Sequence, residues 1–167
     1  PDPDAVRIAA GAADRVKAAR EQGEHPVRVG VGSVFHTYHY IRGFEAWMID
    51  IALHRDILKA MADRIHAMNK TLILRLLEQV GPYVDMVSVG DDMGNSTAPY
   101  MSPADFRATV KPYYADLIGS IKKRYPHIRF YMHSHGQIMD LVPDLIECGV
   151  DILNPILPLD NMDPVRL

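Results

Sequence analysis

The chain alternates between segments with helical apolar spacing and short β-branched runs, with only brief connections between them. That rhythm leaves few folds open, because consecutive strands separated by a helix pair in parallel and put their helices outside the sheet. Val6, Ala9, Ala10, Ala13 and Val16 give residues 4–20 a helical face that ends before Gly23. Residues 27–32 are short, β-branched and bounded by glycine, and read as a strand. A loop rich in His and aromatic residues, 33–43, leads to a helical stretch at 45–53. A long helix is predicted over 56–79, where Ile57, Leu58, Met61, Ile65, Met68, Leu72, Ile73 and Leu76 step by threes and fours. Gly81 stops it, and 84–89 is the next strand. Ser102-Pro103-Ala104-Asp105 then supplies an N-cap, a proline where no donor is needed, and an acid at the third position. The helix it opens is predicted to carry Phe106, Val110, Tyr113, Leu117 and Ile121 as far as about residue 124. Strands at 128–133 and 150–154 enclose a last helix at 138–147.

Two junctions repeat: Glu78…Gly81…Val84-Asp85 and Glu147…Gly149-Val150-Asp151. Each ends a helix on glycine and enters a strand through Val-Asp. The fold class is therefore α/β, with about four parallel strands and outer helices over a single domain, 1–167. Four such strands fit either an open doubly wound sheet or part of a (β/α)₈ barrel.

Composition narrows the function classes. Hydrophobic residues make up 48% of the 167 and charged residues 23%, which excludes a disordered chain. A net charge of −3 leaves no basic face for nucleic acid. The run Lys122-Lys123-Arg124 falls at a helix end, where the dipole favours cations. No apolar run reaches the ~18–20 residues of a membrane span. The single cysteine, Cys148, and the lack of a signal-peptide pattern point to the cytoplasm.

In parallel α/β folds the chemistry sits beyond the carboxyl ends of the strands. Those ends carry Gly32-Ser33, Gly90-Asp91-Asp92, His133-Ser134-His135-Gly136 and Asn154-Pro155. Alternation along a strand puts His133 and His135 on one side, where two imidazoles can share a divalent metal whose third ligand comes from elsewhere. Alternatively, one histidine caps the strand and the other meets a carboxylate. Asp91 and Asp92 are candidates for catalysis by acid/base chemistry, for metal ligation or for orienting an imidazole; one of them capping the next turn is the plainer reading. His36, Tyr38, His39 and Tyr40 suit a substrate wall, as does Asn154, although a loop packing on its own helix has the same composition. His54, His66 and His127 fall on helix surfaces or turns, and Cys148 reads as a buried small hydrophobe.

The ordered set of motifs resembles the uroporphyrinogen decarboxylase superfamily. Gly32 to Glu45, with Ile-Arg-Gly-Phe-Glu at its end, is similar to that superfamily's strand, aromatic loop and Leu-Arg-Gly-Phe-Glu segment. Gly90-Asp91-Asp92-Met93-Gly94, then Ser102-Pro103 to Arg107 and Lys111-Pro112-Tyr113, resemble a second block. His133 to Gly136, 141–155 and Met162-Asp163-Pro164 follow in the same order. The resemblance implies a partial (β/α)₈ TIM barrel, roughly strands four to seven of eight, cut from a longer chain and inactive by itself. It also implies one of two activities. Zinc-dependent methyltransferases of the superfamily, which exchange methyl groups with corrinoid proteins, carry His-x-Cys-Gly where this chain has His133-Ser134-His135-Gly136. The resemblance thus places a zinc on His133 and His135, with a third ligand outside the chain and a corrinoid on a partner protein. The other branch is the cofactor-free decarboxylation of uroporphyrinogen, which lacks this histidine pair. A non-catalytic binding module is a third expectation. A sheet with two open edges also predicts pairing with a second copy of the chain.

Overall fold

In a computed structural model, the described residues are 11–23 and 25–165. They form one four-stranded sheet in the order β1 (Arg28–Gly30), β2 (Met86–Gly90), β3 (Arg129–His133) and β4 (Ile152–Asn154). All three pairings are parallel. Each strand lies beside its predecessor, with no reversal of direction across the sheet. A doubly wound sheet reverses at a switch point, so this sequential order is that of a barrel wall.

The helices are α1 (Ala12–Gln22), α2 (Phe35–Arg42), α3 (Phe44–Leu53), α4 (Arg55–Val80), α5 (Pro103–Thr109), α6 (Lys111–Arg124) and α7 (Val142–Cys148). The start of the helix expected at 4–20 lies outside the described residues. Burial along β2 and β3 alternates: Val87, Val89, Phe130 and Met132 are buried, and their neighbours are not. One face of the sheet therefore meets the helices, packing on Ile73, Leu77, Leu117, Ile118, Ile121 and Leu145. The other face carries Ser88, Arg129 and Tyr131 beside Arg28, whose guanidinium lies 5.7 Å from the Tyr131 ring centre. Among the described residues, no helix is long and apolar enough to cross a membrane.

The repeated Val-Asp junctions have a common mechanism. The Asp85 carboxylate accepts the Val27 N–H at 2.8 Å, and that of Asp151 accepts the Phe130 N–H at 2.7 Å. Each aspartate thus ties the entry of one strand to the entry of the strand before it. Cations from the preceding helices neutralise both: Arg20 lies 3.1 Å from Asp85, and Lys122 lies 2.7 Å from Asp151. Lys122 also donates to the carbonyl of Gly149, so one member of the basic run is a structural clamp.

Two expectations are corrected. The helix predicted to run unbroken from 102 to about 124 is two helices, parted at Val110. Pro112 is the cause: it has no N–H to give, and its ring clashes with the carbonyl four residues back. Phe106, Val110, Leu117 and Ile121 are buried as expected, but Tyr114 takes the buried place expected of Tyr113, which lies only partly covered with its hydroxyl donating to Asp63. The aromatic segment predicted as a loop over 33–43 is α2, for a reason that lies in the site itself. Smaller shifts affect 27–32 and 150–154, whose ladders shorten to three residues each. The helix expected at 138–147 begins instead as a tight turn at Met139–Leu141.

The cap of α5 forms as its sequence predicts, with Ser102 Oγ accepting the Asp105 N–H at 3.1 Å and donating to its carboxylate at 2.7 Å. Ser102→Ala should therefore cost about 1 kcal/mol. Thermal unfolding should show a midpoint lower by about 2–4 °C; an unchanged midpoint would mean that this cap contributes nothing.

Candidate functional site

The carboxyl ends of β2, β3 and β4 meet in one row, with Gly90, His133 and Asn154 in register. The ladder continues one step further, through Asp91 N–H to the His133 carbonyl (2.8 Å) and Ser134 N–H to the Asn154 carbonyl (2.9 Å). Asp91 and Asp92 follow β2 directly and turn in opposite directions. Asp91 is wholly buried, whereas Asp92 is about one-third exposed.

The Asp91 carboxylate accepts the backbone N–H groups of Phe35 (3.1 Å) and His36 (2.7 Å), and the hydroxyl of Tyr114 on α6. The first N–H groups of a helix have no partner within it. Asp91 supplies that partner from the neighbouring strand, while Ser33 Oγ takes the Thr37 N–H at 3.1 Å. This long-range cap is why 35–42 is helical. Burial drives the Asp91 carboxyl up, and the three donors hold it down; the balance leaves it pushed up to about 7. Burial also pushes the Tyr114 phenol well above its usual value, and Asp91 reinforces the shift.

Because α2 is a helix, its side chains part by helical period. Tyr38 faces inward, is 1% exposed, and donates its hydroxyl to Asp50 at 2.7 Å. Burial, with the Asp50 contact, pushes its phenol up to about 12. The expected substrate-wall position for Tyr38 is therefore not what the structure shows: its hydroxyl ties α2 to α3, and Arg42 completes the network at 2.9 Å from Asp50. His36, His39 and Tyr40 lie on the opposite side and line an open cleft with Phe44, Trp47, Asp92 and Tyr100.

His133 and His135 stand at the end of β3, with ring centres 6.4 Å apart. His133 Nδ1 donates to Asn154 Oδ1 at 3.0 Å, which leaves Nε2 as the free lone pair. His135 Nδ1 lies 3.4 Å from the Asp160 carboxylate, and its backbone N–H donates to Asp92 at 2.7 Å. Asp92 stands between two imidazoles, 3.7 Å from His133 Nε2 and 3.8 Å from His36 Nε2. Burial lowers the His36 pKa, against the opposing pull of Asp92. Asn154, joined to Pro155 by a cis bond, thus reaches the site through His133.

Gly136 closes the motif for a steric reason. Its φ is +96°, and a Cβ there would collide with the backbone of Gly94. That close approach brings the loop after β2 against the loop after β3, where Gln137 N–H donates to the Asn95 carbonyl at 2.7 Å.

Several residues that build the site carry no obvious motif. Asn69 on α4 donates to the carbonyls of Gly32 (2.9 Å) and Ser33 (3.0 Å) and so fixes the turn into α2. Its signal was a polar residue between Ile65 and Ile73 on an apolar stripe. Ser134 is buried and accepts the Met93 N–H at 3.1 Å, joining the two strand ends. Tyr114 follows buried Val110 by four residues, a spacing that marks the buried face as well as that of Tyr113 does. His66, His127 and Cys148 stand away from the cluster as expected: His66 pairs with Asp116, His127 meets the Gly81 carbonyl, and Cys148 is buried with its thiol pushed up to about 11 by burial.

A sequentially ordered parallel sheet with outer helices and a polar cluster at its carboxyl edge defines the class, a (β/α) barrel fold present in part. The profile of the family described as "Uroporphyrinogen decarboxylase (URO-D)" matches residues 1–164. The chain belongs to that family. Among solved structures it is similar to a methyltransferase from Methanosarcina mazei, with 16% identity and a TM-score of 0.65. The match covers 91% of this chain and 45% of that protein, so the chain spans less than half of its structural relative. No curated protein matches the sequence.

The Asp91 junction has a measurable signature. An unfolded Asp titrates near ~4 and the folded group near 7. Between these values the folded protein holds a proton that the unfolded chain has lost, so this group's contribution to stability falls as pH rises through the window. Urea midpoints at pH 5 and pH 8 should drop less for Asp91→Asn than for the wild type. Equal drops would show that Asp91 ionises in the fold as it does in the unfolded chain.

Proposed function

We propose that the site performs metal-dependent methyl transfer between a small substrate and a corrinoid carried by a partner protein. Zinc is the proposed metal, held by His133, His135 and a third ligand from outside this chain. The observation that carries the reading is the orientation of the histidine pair. Each Nδ1 faces an oxygen, of Asn154 or of Asp160, the arrangement that prepares imidazoles for a cation at Nε2, and His133 Nε2 already faces the Asp92 carboxylate at 3.7 Å. Two imidazoles on one tetrahedral zinc hold their ring centres about 5 Å apart. The 6.4 Å separation here is somewhat wider, and both side chains are about half exposed. Among the described residues, no third His, Cys, Asp or Glu joins them in a metal-binding group. The family match and the methyltransferase-like fold agree with this reading.

A zinc at this position supplies Lewis acidity that activates a thiol, an alcohol or an ether oxygen. The chain's own residues do the positioning. Asn154 fixes the His133 tautomer, and Asp160 faces the corresponding atom of His135. Asp92 holds the backbone of His135 and presents its remaining acceptor capacity toward His36, within reach of a substrate proton. Asp91 acts through α2: it sets where His36 and Tyr40 stand, rather than touching the substrate itself.

Metal analysis of the complete protein tests the proposal. About one zinc per chain is expected, falling at least ten-fold in His133→Ala and His135→Ala, while Asn154→Ala weakens binding without abolishing it. Full metal content in both histidine variants, or turnover of uroporphyrinogen by metal-free protein, would overturn it.

A further inference from the structure

Next to the histidine pair, α2, the start of α3 and the segment before α5 enclose a cleft of about 290 Å³. That volume suits a small ligand, at the lower end of the usual range for small-molecule sites. Its walls are aromatic. His39 stacks between Tyr40 and Trp47, with ring centres 5.0 and 5.6 Å away and interplanar angles of 19° in both cases. Phe44 packs against Trp47 at 5.3 Å, and Tyr100 stands edge-on to both Phe44 and Trp47, at 5.5 and 5.8 Å. The indole N–H of Trp47 is buried without a hydrogen-bond partner. The remaining lining is His36 and Asp92, and it includes neither Lys nor Arg. Asp92 is therefore a carboxylate at the edge of an aromatic box, with no permanent cation against it.

The chemistry of the lining selects among ligands. Tyr40 and Phe44 are the exposed rings of the lining, and their electron-rich faces, with the Asp92 carboxylate, repel anions and attract cations. A primary ammonium would need several hydrogen-bond acceptors to replace its water, and Asp92 is the one carboxylate that the lining offers. A methylated ammonium has shed most of that hydration and binds through ring faces and charge. A neutral arene would fill the space but leave the carboxylate desolvated without compensation.

Resting on the methyl-transfer reading, we propose that this cleft is the subsite for a methylated ammonium group of the substrate. The reacting oxygen or sulfur then lies on the far side of Asp92, at His133 and His135. Asp92 links the two subsites, since one of its oxygens faces His36 and the other faces His133. The ammonium is thus the recognition handle, and the atom that exchanges its methyl group is the one at the histidine pair.

Isothermal titration calorimetry of the intact protein decides the matter, using choline and its uncharged isostere 3,3-dimethylbutan-1-ol. Choline should bind at least ten-fold more tightly than the isostere. Asp92→Asn and Tyr40→Leu should each weaken choline about 3- to 30-fold, and Asp92→Asn should leave the isostere's affinity nearly unchanged. Tyr40 is largely exposed, so its replacement leaves folding intact. Equal affinity for the two compounds, or no choline binding by folded protein, would overturn the ammonium subsite. Zinc content measured on the same samples separates the two proposals. Zinc-loaded protein that does not discriminate sinks the ammonium subsite alone, whereas discrimination by protein that never takes up zinc sinks the methyl-transfer reading alone.

Discussion

The carboxylate of Asp91, sealed between a strand end and two helices, is the interaction on which the site depends. It satisfies the open N–H groups at the start of α2 and accepts the Tyr114 hydroxyl, so it joins β2, α2 and α6 at one point. Without that cap, the segment after β1 would carry unpaired donors into a buried environment, where each costs about 1–3 kcal/mol. With it, the segment is a helix, and the helical period sorts its rings. Phe35 and Tyr38 go into the core; His36, His39 and Tyr40 face the cleft. The anion also sits where the helix dipole favours negative charge.

The adjacent aspartate does a different job because it turns the other way. Asp92 emerges where Asp91 is buried, and it reaches three histidines at once: the backbone of His135 and the rings of His36 and His133. One buried carboxylate builds the platform and the next serves the cleft. The same division holds after β3, where Ser134 is buried and ties the strand ends together while His133 and His135 flank it in the open. Gly136 then permits the two loops to touch, which keeps Asp92 against the backbone of His135.

Much of this was legible in the sequence. The strand ends at Asp91-Asp92, His133-x-His135 and Asn154 were recognisable because short β-branched runs between helices fix both strand position and direction. The Ser102 cap was legible because its chemistry is local, and the Val-Asp junctions were visible as a repeat, although the bonds their aspartates make reach 58 and 21 residues back. Long-range chemistry was not. Nothing near 33–43 announces a helix, since its cap comes from Asp91, about 55 residues later, and misreading the segment misplaced Tyr38. Pro112 was visible as a break, but Tyr113 and Tyr114 both fit the apolar stripe between Val110 and Leu117, and only the packing separates them. Asn69 could have been found, as a polar residue on a stripe that should have been apolar.

The proposed zinc site at the end of β3 rests on two imidazoles. X-ray absorption at the zinc edge of the metal-loaded protein tests it most directly. An imidazole scattering pattern from two rings is expected, reduced to one when His135 is replaced by Ala. A zinc shell without imidazole scattering, or one unchanged by that substitution, would contradict it.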